Sequence, residues 1–307
     1  MIIVSLCFLS LILLLGSLYA YRIAFYSPKK GRDQINRPKD PQYDPYRPEM
    51  RRIFHQLNDR PFERVTVQSQ DGLQLSGRYY HIRDGAPLDI GFHGYRSHPV
   101  TDFSGGSELS FQLGHNLLLV DQRAHGHSEG RTITFGILER QDLLCWVNYA
   151  LQRFGPEVPI MLYGVSMGGA TVLMASDLEF PANVKGIVAD CPFTVPLDVI
   201  LHVGRDTPFP NWLIRPFAIL GARIWGGFDL LETDGIRAVR NATVPVLIIH
   251  GEDDRYVPCS MSEDAATANP DMVQRFTFPG AAHGISYLVD TPRYHQIVKD
   301  FLKKAGA

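Results

Sequence analysis

Gly164-Val165-Ser166-Met167-Gly168-Gly169 is the stretch on which the reading of this chain turns. It follows the apolar run 159–163 and opens the small-residue stretch 170–175, so it predicts a strand, a sharp turn and a helix with Ser166 at the tip. A serine held on such a turn is placed to act as a nucleophile. Gly164 and Gly168 fit that picture because a strained strand-to-helix turn needs neighbours without side chains. As an isolated pattern Gly-x-Ser-x-Gly is weak, and the surrounding chain must carry the claim.

Outward from that turn, short apolar runs at 88–92, 116–120, 160–163, 184–189, 246–249 and 273–278 alternate with helical patterns. Buried parallel strands read this way. Ahead of them, 63–70 and 73–82 alternate around Asp71-Gly72, a hairpin signal that adds an antiparallel edge. Helical spacing is expected at 49–57 (Met50, Ile53, Phe54, Leu57), within 135–154 (Leu143, Val147, Leu151), and from Thr291 onward, with Pro292 in its first turn. The fold class is therefore α/β: a mostly parallel sheet, an antiparallel N-terminal hairpin and helices on both faces. Ser166 leaves a central strand, so residues at neighbouring strand ends should share its crevice.

Two such ends carry chemistry. His250-Gly251-Glu252-Asp253-Asp254-Arg255-Tyr256-Val257-Pro258 follows the strand 246–249, and Gly280-Ala281-Ala282-His283-Gly284 follows 273–278. His283 suits a general base; Asp253, Asp254 and the strand-end Asp190 are the candidate acids. Together with His93-Gly94-Tyr95, Asp121-Gln122-Arg123-Ala124-His125-Gly126-His127-Ser128 and the serine turn, these stretches resemble the α/β-hydrolase superfamily from about Phe62 onward. Within it the chain is similar to bacterial serine-aminopeptidase-like and esterase-like hydrolases. The resemblance implies an α/β-hydrolase fold and a triad of Ser166, Asp254 and His283, with Asp254 chosen by the pattern His-Gly-x-x-Asp-x-x-Val-Pro. It also implies an oxyanion hole from the backbone N–H groups of Tyr95 and Met167. Ala124 departs from the glycine usual at its position.

About 50 residues separate the strand ending near Ala189 from the one starting near Val244, too long for a plain connection. We expect a helical lid over about 194–240, with Trp212, Phe217 and Trp225 binding substrate. His125-x-His127, His93, His98 and His115 could suggest a metal, but no carboxylate or cysteine recurs at ligand spacing. Neither metal nor organic cofactor is expected. Cys7, Cys145, Cys191 and Cys259 lie far apart, without the spacing of a zinc site or disulfide framework. A net charge of -2 over 307 residues gives no electrostatic reason to bind nucleic acid.

At the N-terminus, 2–20 is an uncharged apolar run, long enough to suggest an uncleaved single-pass membrane anchor over 1–26. Basic residues after the run place the body on the cytoplasmic side by the positive-inside rule. Residues 27–48 read as a linker and 49–307 as the catalytic domain. The expected activity is hydrolysis of a carboxylic ester or related acyl bond in a small-molecule or lipid-like substrate. Peptidase and thioesterase chemistry could use the same triad; a binding module of the same fold would be expected to lose a member of it. Haloalkane dehalogenation is excluded, since it needs a carboxylate where Ser166 stands.

Overall fold

The computed structural model describes residues 2–28 and 40–307, apart from the side chains of Ile2, Ile3, Leu6 and Leu9. Helix α1, Ile2–Ala20, runs into a π-turn at Tyr21–Phe25; a 3-10 turn, Pro41–Tyr46, leads into α2, Arg47–Asn58. Strands β1, Glu63–Gln68, and β2, Gln74–Tyr80, form the hairpin, whose turn places Gly72 at φ 89°. Next come β3, Leu88–Phe92; α3, Pro99–Leu113; β4, Asn116–Asp121; α4, Glu139–Phe154; β5, Ile160–Val165; α5, Met167–Met174; and β6, Val184–Asp190. Helices α6, Pro196–Gly204, α7, Asn211–Gly221, and α8, Gly235–Arg240, fill the long connection to β7, Val246–Gly251. The chain ends with α9, Cys259–Ala268; β8, Val273–Phe278; α10, Ser286–Val289; and α11, Thr291–Ala305.

The eight strands pair in the order β1-β2-β4-β3-β5-β6-β7-β8. β2 is antiparallel to both β1 and β4, and every later pairing is parallel. Strand alternation divides the core between the two faces. Ile160 and Leu162 of β5, with Val246 and Ile248 of β7, pack with Leu143, Trp146 and Val147 of α4 and Leu173 of α5. Met161, Leu247 and Ile249 point the other way, toward Ile53 of α2, Leu109 of α3 and Val298 and Phe301 of α11. Gly77 of β2 makes room for the largest buried side chain, since a Cβ there would lie 3.2 Å from the Trp146 ring.

A third cluster joins α6 and α7 to the N-terminal segment. Phe25 is fully buried, with ring centroids 5.7 Å from Phe135 and 5.4 Å from Phe228. Backbone bonds from Ile133 N–H to Phe25 O (2.7 Å) and from Ser27 N–H to Arg131 O (2.8 Å) stitch this segment to the domain.

That placement corrects the expected membrane anchor over 1–26 and the membrane-bound, cytoplasm-facing body that followed from it. Among the described residues no helix is long and apolar enough to cross a membrane. The outer face of α1, with Val4 and Phe8, is exposed, but its last turns are committed to protein contacts. Ser17 is buried and accepts a hydrogen bond from Trp225 Nε1 at 3.1 Å. Of the stretch read as a linker, 29–39 lie outside the described residues, while Tyr43 in the 3-10 turn is buried against Ala282 and Ile285.

Candidate active site

The site lies where strand order reverses, at the C-terminal ends of β3 and β5. Ser166, the residue after β5, takes φ 56°, ψ −115°, a conformation rare for a residue with a side chain. Its N–H donates to Asp190 O and its carbonyl accepts from Ala170 N–H, both at 2.9 Å. A Cβ on Gly164 would overlap the Gly168 carbonyl, and one on Gly168 would overlap the Phe92 carbonyl. Close approach of backbones, with no volume left over, is what these two glycines permit.

His283, on the loop after β8, sits with Nε2 2.9 Å from Ser166 Oγ and Nδ1 2.6 Å from Asp254 Oδ2. These partners assign the proton: Nδ1–H donates to the carboxylate, leaving Nε2 to accept from the serine hydroxyl. Asp254, on the loop after β7, is fixed in turn. Its Oδ1 accepts the N–H groups of Tyr256 (2.9 Å) and Val257 (2.8 Å), and its Oδ2 lies 3.3 Å from His250 Nε2. Burial opposes ionisation of Asp254, but the neighbouring His283 and these hydrogen bonds outweigh it and hold the carboxyl well below the usual range. Burial pulls the His283 pKa down, and Asp254, aided by Asp190 and Asp102, more than reverses this and raises it.

The other candidate acids stand elsewhere. Asp253 is exposed. Asp190 is buried and accepts from Tyr294 Oη at 2.9 Å; burial pushes its pKa up to about 6 against that bond.

The loop after β3 brings Gly94 beside the serine, where an added Cβ would lie 3.3 Å from Ser166 Cβ, and the next residue, Tyr95, lines the same cavity as Ser166. Met167 opens α5, so its N–H is one of the helix-terminal donors that lack an intrahelical acceptor. Two residues unremarked in the sequence hold this architecture. Asp102 Oδ2 accepts Gly94 N–H at 2.6 Å while Oδ1 accepts Ser97 Oγ–H at 2.6 Å. Tyr43 Oη donates to the His283 carbonyl at 3.0 Å. His98-Pro99 followed by an acid in the next turn is a helix-start signal that could have found Asp102. Ala124 is buried at φ 63°, the left-handed region where glycine would be unstrained.

The loop histidines bind the scaffold together. His93 Nε2 accepts Gln122 N–H (3.1 Å), His125 Nε2 accepts Arg96 N–H (2.9 Å), and His115 Nδ1 bonds Asp89 Oδ1 (3.1 Å). Among the described residues, one trio, Cys191, Asp254 and His283, offers metal-ligating atoms within 4.8 Å of one another. Two of these are already bonded to each other, and burial pushes the Cys191 thiol far up, away from the thiolate a metal needs.

Ser166 and His283 open on a cavity of about 990 Å³. Phe209, Leu213 and Phe217 of the connection between β6 and β7 line it. Trp212 is 76% exposed, and Trp225 turns its indole N–H to Ser17; neither lines the cavity.

Comparison with known proteins agrees with this architecture. The profile of a family described as "alpha/beta hydrolase fold" matches residues 92–227. The chain is 25% identical over 292 residues to the uncharacterized protein YqkD of Bacillus subtilis (strain 168), covering 95% of this chain and 93% of that one. It is 26% identical over 206 residues to the lysophosphatidylserine lipase ABHD12 of Danio rerio, covering 62% of this chain and 51% of the lipase. Among solved structures, the Pyrococcus furiosus esterase Pf2001 superposes with a TM-score of 0.65 at 23% identity, over 81% of this chain and 95% of the esterase. The fold is the α/β-hydrolase fold, and these similarities support a hydrolase.

Proposed function

We propose that this α/β-hydrolase-fold protein is a serine hydrolase that cleaves a carboxylic ester through an acyl-enzyme. The observation that carries the reading is the unbroken chain Ser166 Oγ, His283 Nε2, His283 Nδ1, Asp254 Oδ2, with links of 2.9 and 2.6 Å. Serine is a weak nucleophile at neutral pH. His283 would take its proton as Oγ attacks the carbonyl carbon, and Asp254 would hold the imidazole tautomer and stabilise the imidazolium. The N–H groups of Tyr95 and Met167 would receive the oxyanion; a donor of this kind contributes about 3 kcal/mol of transition-state stabilisation. His283 would then protonate the leaving oxygen, and water, deprotonated by the same imidazole, would release the acid.

The mainly apolar cavity wall favours a small-molecule ester with an apolar, lipid-like acyl group over an aminoacyl amide, whose ammonium group would need an available carboxylate. The lipase named among the relatives points the same way. The test is turnover of a panel of p-nitrophenyl esters, thioesters and aminoacyl p-nitroanilides, with Ser166→Ala as control. Ester turnover lost in the variant supports the reading. Turnover of the anilides alone would replace it with a peptidase.

A further inference from the structure

Resting on that reading, the cavity can be divided by chemistry. His283 must hand its proton to the leaving oxygen, so the leaving group sits on the His283 side of Ser166 and the acyl chain on the other. Tyr43, which bonds the His283 carbonyl, and Ile285, packed against Tyr43, wall the cavity beside His283. The cavity is also lined by Phe217 and Leu213 of α7 and by Tyr19, Ala20 and Ile23 of the N-terminal segment, an apolar stretch suited to the acyl chain. The N-terminal segment thus supplies part of the cavity wall.

The seam between α1 and α7 is tight. A Cβ on Gly16 would lie 2.8 Å from Phe217 Cδ1, and one on Gly221 would lie 2.7 Å from Ser17 O, so a glycine on each helix lets the two approach. Tyr21 Oη hydrogen-bonds Thr132 Oγ1 at 3.0 Å, fixing the base of α1 on the domain. A wall so placed has a fixed reach, and the length of acyl chain that fits depends on it.

We propose that α1 is the distal wall of an acyl-chain arm, that Ala20 and the Gly16–Phe217 contact set the chain length accepted, and that the substrates are esters of long-chain fatty acids. An apolar arm selects each added methylene by burying it, at about 0.8 kcal/mol, or roughly fourfold in kcat/KM while the wall allows.

The experiment is kcat/KM of the full chain on p-nitrophenyl acetate, butyrate, octanoate and palmitate, for wild type, Ala20→Trp and Phe217→Ala. In wild type kcat/KM should rise from acetate at least to octanoate. Ala20→Trp, which fills the arm, should lower the palmitate-to-butyrate ratio about tenfold, equal to about 1.4 kcal/mol of discrimination. Phe217→Ala, which relieves the seam, should raise that ratio. A flat wild-type profile, or variants that change both esters equally, would overturn the proposal while ester turnover left the serine-hydrolase reading standing. Absence of all ester turnover together with failure to react with a fluorophosphonate would defeat both. Reaction of each variant with the fluorophosphonate verifies that its site is folded.

Discussion

Tyr95 donates its phenolic hydrogen to the carbonyl oxygen of Ala24 at 2.9 Å, tying the loop after β3 to the π-turn that ends α1. Arg96 reinforces the link through Nη2, which donates to Ile23 O at 2.7 Å and Tyr26 O at 3.0 Å. The N-terminal segment therefore reaches the loop that carries a proposed oxyanion donor. Tyr95→Phe removes one of these ties and nothing from the backbone. Loss of about 1 kcal/mol of positioning should lower kcat about fivefold on short and long esters alike, with KM little changed. Steady-state kinetics on two esters checks this.

The pH profile follows from His283. Its pKa is raised in the folded protein, so the protonated, inactive imidazole persists to higher pH and kcat/KM should climb with a midpoint above the ordinary histidine value of about 6.5. Asp254→Asn removes the charge that raises it. The acid limb should then move to lower pH, and kcat should fall about 10⁴-fold, as for the same change in other triads. A stopped-flow pH series on both proteins reads the two effects.

Asp190 gives a stability prediction. Its pKa of about 6 lies above the unfolded value of about 3.9, so the native state binds this proton more tightly and the group's contribution to stability falls as pH rises through 6. Tyr294→Phe deletes the donor to Oδ2 beside an Oδ1 without a hydrogen-bond partner. Urea unfolding should show a loss of about 1–3 kcal/mol near pH 8, shrinking toward about pH 5 where the carboxyl is neutral.

Gly168→Ala tests the turn itself. The added methyl would overlap the Phe92 carbonyl, which belongs to a paired central strand and cannot move alone. The loss should exceed about 4 kcal/mol, as expected when backbone must shift to admit an atom, and is measured by urea midpoint.

Much of this fold is legible in the sequence because buried parallel strands announce themselves. The runs 88–92 and 273–278 agree with β3 and β8, and 160–163 falls short of β5 by only Gly164 and Val165, where glycine interrupts the apolar signal. Helix α3 carried no such mark: PVTDFSGGSELSFQL is rich in serine and glycine and lacks a clean apolar stripe. It is helical because it packs between α2 and the sheet and against α10, where Gly105 abuts the Tyr287 ring. Ser166 and His283 could be singled out because each follows a strand end, whereas Asp254 is separated from Asp253 and the strand-end Asp190 only by the pattern the family resemblance supplies. Asp102 and Tyr43 escaped because they act on backbone groups of residues outside their own elements. The N-terminal run misled for a related reason. Apolar composition does not say whether a helix meets lipid or protein, and what the sequence left hidden was the Gly16–Phe217 and Ser17–Gly221 seam.

The central claim is that Ser166 is the nucleophile. Incubating the full chain with a fluorophosphonate and locating the adduct by peptide mass spectrometry tests it most directly. One adduct is expected, on Ser166, absent from Ser166→Ala and strongly slowed in His283→Ala. An adduct on another residue, or undiminished modification of Ser166→Ala, would contradict it.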